Sequence, residues 1–447
     1  MSIPRLLLVP SHKTGLADAV AAALTEILSA QGRRVRFHHL GPLGPSFSWD
    51  RWEGAAFLDP SLYDEEALLS LYEVATRGAE LSLLSCNRGL LDRLGGAGWT
   101  PADLARILDC PVVLVLDCRG WGTGIKALVS GVKSALPDLN LVAAVLSGVS
   151  DGEHLALLRD SLAQAGLPVV GCLLEGEGPR WDTAAPGAEG LPLAPLFLDA
   201  VSRQVDVEAL VEMAGQRGFL PLSARLSDRG SEGPLVLVAA GSGFTPWSRD
   251  CIEVLRAAGA RVKRLDLLQD ETLPEETAGL VLAGTLWTSA LLDIGANRTL
   301  LHDLAEKIGC GLPTVALGGG AVLLLTRVQD SLGRTVELAG VTPGSGEILW
   351  DLEEPTYVQV TAARDSLLFA KGQTVTGWVL TEVEMLDPTA LWDPPLLVRA
   401  YGSEEDRGEG MVTGSLFCSR VFIHLASAPG LATRFVKACD VFAGQRV

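Results

Sequence analysis

The chain has 447 residues, 48% of them apolar, and a formal net charge of −18 from 36 Lys and Arg against 54 Asp and Glu. This length predicts two or three domains with substantial cores. The negative charge repels phosphate groups and anionic lipids, so we expect no nucleic-acid partner and no membrane attachment. The eight cysteines are scattered without a CxxC pair, which is typical of reduced thiols in a cytoplasmic protein.

Strand-like apolar runs alternate with helical patterns through the first half of the chain. Gly166 is predicted to end the last helix of this series. The alternation predicts a parallel α/β sheet. Strands are predicted at 5–10, 33–40, 81–84, 111–116, 141–146 and 168–173, and helices at 17–30, 101–108, 124–134 and 153–165.

A polar stretch at 223–233 predicts a linker between a first domain of residues 1–222 and a second domain of residues 234–447. A strand and a helix at 247–258 then begin a second α/β cycle. The segment 313–325 predicts a strand, a tight glycine turn and a helix, and 431–442 predicts a final helix. The part between them is rich in strand patterns from 337 to 400.

Three segments carry a resemblance to a known family: LVLDCRGWGTGIKALVSGVKSALPDLNLVAAVLSGV from Leu114 to Val149, GLPTVALGGGAVLLL at 311–325 and VFIHLASAPGLATRFVKA at 421–438. The chain resembles the cobyrinate a,c-diamide synthases and the related enzymes that amidate sirohaem or nickel-sirohydrochlorin. The resemblance follows the family order over more than 400 residues.

The resemblance implies an α/β fold of two parts. The first would be a P-loop-NTPase-like parallel-sheet domain of the dethiobiotin-synthetase type, and the second a class I glutamine amidotransferase-like domain. It also implies a reaction in which ATP activates a tetrapyrrole carboxylate as an acyl phosphate. A Cys–His pair in the second domain would release ammonia from glutamine.

The predicted phosphate loop, SHKTGLADAV at 11–20, departs from the family pattern. Asp18 stands at the position of the phosphate-binding lysine and Ala19 at that of the metal-binding hydroxyl. A carboxylate in place of the cation inverts the local charge. Lys13, with Thr14 and Gly15, is a candidate substitute, and the alternative is that Lys13 is an ordinary exposed loop residue.

The remaining nucleotide-site positions are also altered. Ser85 stands where the family has a glutamate that is a candidate Mg²⁺ ligand, and Ser147 stands where it has the asparagine that contacts the base. Asp92 and Asp117 remain as weak candidates, although Asp117 could equally cap the turn after its strand. We therefore predict no metal site.

The positions that correspond to the family's glutaminase cysteine and histidine hold other residues. Glutamine hydrolysis needs a cysteine at a strained turn between a strand and a helix, and a histidine base. The family's cysteine corresponds to Gly318 and its histidine to Phe422. His424 matches a second, less essential histidine, and a lone histidine on a strand is more often structural than catalytic. Cys310 precedes the strand and cannot reach the turn.

Apolar residues replace polar ones at several of these sites, including Leu286, Trp287, Trp378 and Phe422. One interpretation is that unused pockets have been packed for stability. The other is that the cleft binds a flat apolar ligand, such as a tetrapyrrole, or a partner protein.

These losses lead to the hypothesis of a pseudoenzyme, a non-catalytic subunit or tetrapyrrole-binding scaffold. We expect a homodimer or a complex with an active paralogue or another protein, no required cofactor and a tetrapyrrole as the candidate ligand. The alternative is an active amide ligase that uses ATP and Mg²⁺ through Lys13, Asp92 and Asp117, with His424 and free ammonia.

A third and weaker alternative is an unrelated activity in the same cleft, including metal binding by His38 and His39. Adjacent strand residues point to opposite faces of a sheet, so this pair is not expected to share a metal ion. We expect both histidines at surface or turn positions.

Overall fold

The computed structural model describes residues 3–41, 56–93, 99–177, 195–216, 220, 232–241, 243–246, 250–330, 332–349, 355–380, 383–385 and 394–445. The predicted linker lies outside these ranges except for Glu232 and Gly233. The boundary between the two predicted domains therefore stays a prediction.

The first half alternates strands and helices as predicted. The strands are β1 Arg5–Pro10, β2 Val35–Leu40, β3 Ala56–Leu58, β4 Leu81–Ser85, β5 Val112–Asp117, β6 Leu141–Val149 and β7 Val169–Leu174. The helices are α1 Leu16–Ala30, α2 Glu65–Ala75, α3 Pro101–Ile107, α4 Ile125–Ala135, α5 Gly152–Gln164, α6 Pro195–Gln204 and α7 Val207–Ala214.

Within the described ranges these strands form one seven-stranded sheet in the order β3-β2-β4-β1-β5-β6-β7, and every pairing is parallel. The predicted parallel α/β sheet is thus confirmed. Its central strands are almost wholly buried because helices cover both faces. Four elements were not predicted: β3, α2, α6 and α7.

Local sequence signals set several helix ends. Helix α5 begins after Asp151, whose carboxylate accepts the N–H of His154 over 2.8 Å. It ends before Gly166, which has a φ of +67° that glycine adopts without strain. Helix α3 begins with a reciprocal pair of hydrogen bonds between Thr100 and Asp103.

The second half begins with another parallel sheet. Its strands are β8 Leu235–Ala239, β9 Phe244–Pro246, β10 Arg261–Leu265, β11 Thr277–Leu286 and β12 Thr314–Gly318. Further strands are β13 Arg327–Gln329, β14 Thr335–Glu337, β15 Ser345–Ile348, β16 Thr356–Ala362, β17 Thr374–Val379, β18 Val383–Met385, β19 Leu396–Ala400, β20 Arg407–Glu409, β21 Met411–Thr413, β22 Leu416–Ser419 and β23 Val421–Phe422. The helices are α8 Cys251–Ala257, α9 Leu291–Ala296, α10 Arg298–Gly309, α11 Gly319–Leu323 and α12 Leu431–Gly444, with a 3₁₀ helix at Thr288–Ala290.

Strands β10, β8, β11, β12 and β22 are parallel neighbours in that order. Strand β21 pairs antiparallel with the edge strand β22, and β9 pairs antiparallel with the carboxyl end of β11. In the described residues two smaller sheets follow, with the orders β14-β13-β15-β18 and β20-β19-β16-β17-β23. They account for the predicted strand-rich region. The helix predicted at 247–258 is described from Cys251 onwards, since 247–249 lie outside the described ranges.

The two halves are joined by buried contacts. One cluster of buried apolar side chains includes residues of both halves, from Ile3 to Cys439. Inside it, the hydroxyl of Tyr357 donates to the carboxylate of Asp59 over 2.5 Å. Burial raises the pKa of Asp59, while the hydrogen bonds from Tyr357 and Ser61 oppose that shift.

In the described part of the chain, no helix has the length and apolar character required to cross a bilayer.

Gly320 in α11 provides a test of the contact between α11 and β11. A Cβ atom at this position would lie 1.8 Å from the carbonyl oxygen of Leu282, which is backbone and cannot swing aside. We expect Gly320→Ala to lower the free energy of unfolding by about 1–3 kcal/mol, as other overpacking substitutions do.

Gly131→Ala is the matched control for this urea-denaturation measurement. It lies inside α4, where an added Cβ meets no atom within 4 Å. We expect it to stabilise by about 0.5–1 kcal/mol, because alanine loses less backbone entropy in a helix than glycine. A Gly320→Ala variant as stable as the Gly131→Ala variant would contradict the close contact.

Candidate functional site

The residues predicted to bind a nucleotide lie at the carboxyl ends of three neighbouring strands, β4, β1 and β5. The loop after β1 contains Lys13, Thr14 and Gly15, and Asp117 is the last residue of β5. The segment after β4 reaches this loop, because the N–H of Thr14 donates to the carbonyl of Asn87 over 2.9 Å. The structure thus brings these residues to the sheet edge where ligands bind in open α/β folds.

Asp18 points into the protein from the first turn of α1. Only 4% of the residue is exposed. Its Oδ1 accepts the hydroxyl of Ser85 over 2.5 Å, and its Oδ2 lies 3.4 Å from Nε2 of His39. The two residues that the resemblance aligns with the family's phosphate-binding lysine and candidate metal-ligand glutamate therefore bind each other.

His39 completes this cluster. Its Nδ1 lies 3.2 Å from the carbonyl of Gly41, so both ring nitrogens face oxygen acceptors. Asp18, Ser85 and His39 together form a buried polar cluster, which we call the Asp18 cluster.

The expectation that His38 and His39 lie at the surface is wrong. Both are buried, at 0% and 3% exposed, because β2 is an interior strand between β3 and β4. They do point to opposite faces of the sheet. The His38 ring meets the edge of Tyr72 on α2, whereas His39 faces Asp18 on α1.

The two remaining carboxylates of this site accept hydrogen bonds from the turns in which they lie. Asp92 accepts the N–H of Gly89 over 2.9 Å. Asp117 accepts the N–H of Arg119 over 3.1 Å and pairs with its guanidinium, which lowers the pKa of Asp117. Asp117 therefore caps the turn after β5, which was one of its two predicted roles.

These residues do not fit a triphosphate with Mg²⁺. Binding would need a cation at the start of α1 and an anionic oxygen for the metal. The chain instead has the Asp18 cluster at that position, while Lys13 is exposed and Gly15 has open space around its Cα. Across the described ranges, no group of three or more His, Cys, Asp and Glu is arranged to hold a metal ion.

The turn that the resemblance assigns to the glutaminase nucleophile carries a glycine. Gly318 ends β12 and precedes α11, with φ 58° and ψ −121°. A sharp turn of this kind between a strand and a helix exposes the nucleophile in hydrolases of the α/β class. Here the position has no side chain, and the turn is followed by Gly319 and Gly320, which pack against β11.

The position of the family's base is filled by packing. Phe422 and Trp378 are each 1% exposed, and their ring centroids are 4.9 Å apart. They pair across β17 and β23. Internal packing therefore explains these two apolar residues, since neither has a surface on which a flat ligand could stack.

His424 is a buried residue with partners on both ring nitrogens. Nε2 lies 3.2 Å from the carboxylate of Asp250, and Nδ1 accepts the N–H of Ala426 over 3.0 Å. Because Nδ1 accepts the N–H of Ala426, the ring proton lies on Nε2, where it is donated to Asp250.

His424 also connects the two halves of the chain. The Tyr63 ring lies edge-on to it, with centroids 4.9 Å apart. Its partners Asp250 and Tyr63 were missed from the sequence, since Asp250 lies 174 positions away and no local pattern marks either residue. With both nitrogens engaged, His424 is held as a structural residue.

The Asp18 cluster predicts a strong stability effect. We expect Asp18→Ala to lower the free energy of unfolding by about 1–3 kcal/mol, because it removes the buried carboxylate that accepts the Ser85 hydroxyl and lies against the His39 ring. Urea denaturation followed by circular dichroism measures the change.

Asp160→Ala is the matched control, since Asp160 is exposed on α5. We expect its effect to stay within about 0.5 kcal/mol. If Asp18→Ala proved equally mild, Asp18 would have to be solvated instead of paired.

The comparisons with known proteins agree with the resemblance. No family model matches the chain. Among curated proteins it is similar to a hydrogenobyrinate a,c-diamide synthase of Mycobacterium bovis, at 30% identity over 96% of both chains. It is also similar to a cobyrinate a,c-diamide synthase of Syntrophotalea carbinolica, at 26% identity over 98% of this chain and 99% of the relative.

Among solved structures, 48% of the chain aligns with 99% of PurLQS from Thermotoga maritima, at 16% identity and a TM-score of 0.33. That likeness is too low to carry an argument, and the fold class rests on the sheet topology of this chain. The full-length match at 30% identity is decisive for the family. The chain belongs to the cobyrinate and hydrogenobyrinate a,c-diamide synthase family.

Proposed function

We propose that this family member has lost ATP- and glutamine-dependent catalysis and acts as a non-catalytic scaffold. It would bind a tetrapyrrole or a partner subunit of the same biosynthetic chemistry, as a homodimer or in a complex with an active paralogue. The observation that carries this proposal is Gly318, which occupies the nucleophile turn without a side chain.

The loss at Gly318 has no evident replacement. Removing a nucleophile from a catalytic triad costs about 10⁴- to 10⁶-fold in rate. Cys310 is exposed and precedes the amino end of β12, opposite the turn. Cys418 is buried on β22 beside Ala316 in the middle of β12. Cys251 is buried next to His424, whose two nitrogens already have partners.

The Asp18 cluster supports the same proposal for the first domain. A carboxylate at the start of α1 repels the phosphates that this position binds in active relatives, and its partners hold it there. Two separate sites, one for ATP and one for glutamine, thus carry changes that oppose the family reaction.

Two assays on the purified chain test the proposal. Isothermal titration calorimetry with ATP and Mg²⁺ is expected to give no binding heat, because the phosphate site has the wrong charge. Release of glutamate from glutamine is expected to stay at the level of buffer. The relative from Mycobacterium bovis, assayed in parallel, serves as the positive control. Saturable ATP heat or glutamate release by this chain would contradict the proposal.

The active amide ligase remains the second candidate, favoured by the exposed Lys13 in the loop after β1. It predicts ATP binding that is lost in Lys13→Ala, together with amidation of cobyrinate by free ammonia. Titration with cobyrinate alone tests whether the chain binds a tetrapyrrole, as the scaffold proposal expects. Heat from cobyrinate without heat from ATP is the outcome expected for a carrier, and heat from ATP in the wild type but not in Lys13→Ala is the outcome expected for the ligase.

A further inference from the structure

We propose that a groove beside the start of α12 binds a small organic anion with two or more negatively charged groups. The groove lies between the loop that joins β16 to β17 and the first two turns of α12. This proposal concerns a surface apart from both family sites and does not depend on the proposed function.

The groove is lined by cations and contains no carboxylate. Lys371 contributes from the loop, and Arg434 and Lys437 contribute from α12. The other lining residues are neutral. With a volume of ≈ 830 Å³ it matches the size of sites that hold small molecules, and it exceeds what a single inorganic ion fills.

The charge of these residues is unbalanced within the described part of the chain. Lys371, Arg434 and Lys437 make no ion pair with a described residue, whereas many other exposed arginines do. Arginines with a carboxylate within 4 Å include Arg33, Arg106, Arg203, Arg298 and Arg399. In a chain of net charge −18, a concave surface with three cations and no acid is a local exception.

The two helical cations are placed to act together. Arg434 and Lys437 are three positions apart on α12, so their side chains project from the same face of the helix. Lys371 lines the same groove from the loop that joins β16 to β17. Three like charges around one hollow repel each other, and an anion between them removes that repulsion.

The backbone at this place adds to the attraction. Helix α12 has 14 residues and begins after Gly430, and no side chain caps its first N–H groups. Asp365, on the same loop as Lys371, does not line the groove and accepts the N–H of Lys371 over 3.2 Å. The groove therefore offers guanidinium and ammonium donors to anionic oxygens.

The groove would bind a small organic molecule that carries two or more carboxylate or phosphoryl groups. Arginine binds either group through two parallel hydrogen bonds, and lysine binds either as a point charge. The cations therefore require a negatively charged ligand. The two probes below distinguish a carboxylate ligand from a phosphate ligand.

Isothermal titration calorimetry with two probes, tricarballylate and pyrophosphate, tests this site at low ionic strength. We expect saturable binding of at least one probe by the full chain. Binding of tricarballylate alone would identify a polycarboxylate as the ligand class, and binding of pyrophosphate alone a phosphate ester. Binding is expected to weaken as salt is added, because the cations are exposed.

The double variant Arg434→Gln/Lys437→Gln is expected to weaken binding about tenfold or more, as two charge-assisted contacts are lost. The matched control, Lys126→Gln/Arg407→Gln, removes the same charge from exposed residues that do not line the groove and is expected to bind like the wild type. Absence of heat with both probes, or equal weakening in the two double variants, would overturn the proposal.

Discussion

A carboxylate at the start of α1 organises the part of this protein where the family resemblance predicts a phosphate loop. Asp18 is surrounded by Ser85 at the end of β4 and His39 near the end of β2, so one side chain links a helix to two strands. These three side chains thus have a structural role. A buried anion is tolerated only with such partners, because desolvation of an unpaired charge is costly.

The second half presents a different arrangement. The turn at Gly318, which the resemblance assigns to the nucleophile, has positive φ and is followed by two closely packed glycines. Phe422 and Trp378 fill the place of the base with apolar surface. The first position holds a buried carboxylate with polar partners, and the second holds a glycine turn beside packed aromatic rings.

The sequence predicted the elements that depend on local pattern. The strands of the first sheet and Gly166 at the end of α5 follow from apolar runs and a residue suited to positive φ. Family resemblance located the turn at Gly318. What could not be predicted are the pairings between distant residues. His39 was expected at the surface, because its partner on α1 is visible only after folding, and Tyr357 meets Asp59 across 298 positions.

The hydrogen bond between Tyr357 and Asp59 lies within an apolar core that both halves share. A core of this kind does not divide along a predicted domain boundary. If either half were expressed alone, it would expose apolar surface, and Asp59 would lose the donor on which its burial depends. The two halves should therefore melt as a single cooperative unit, and neither should be a stable fragment.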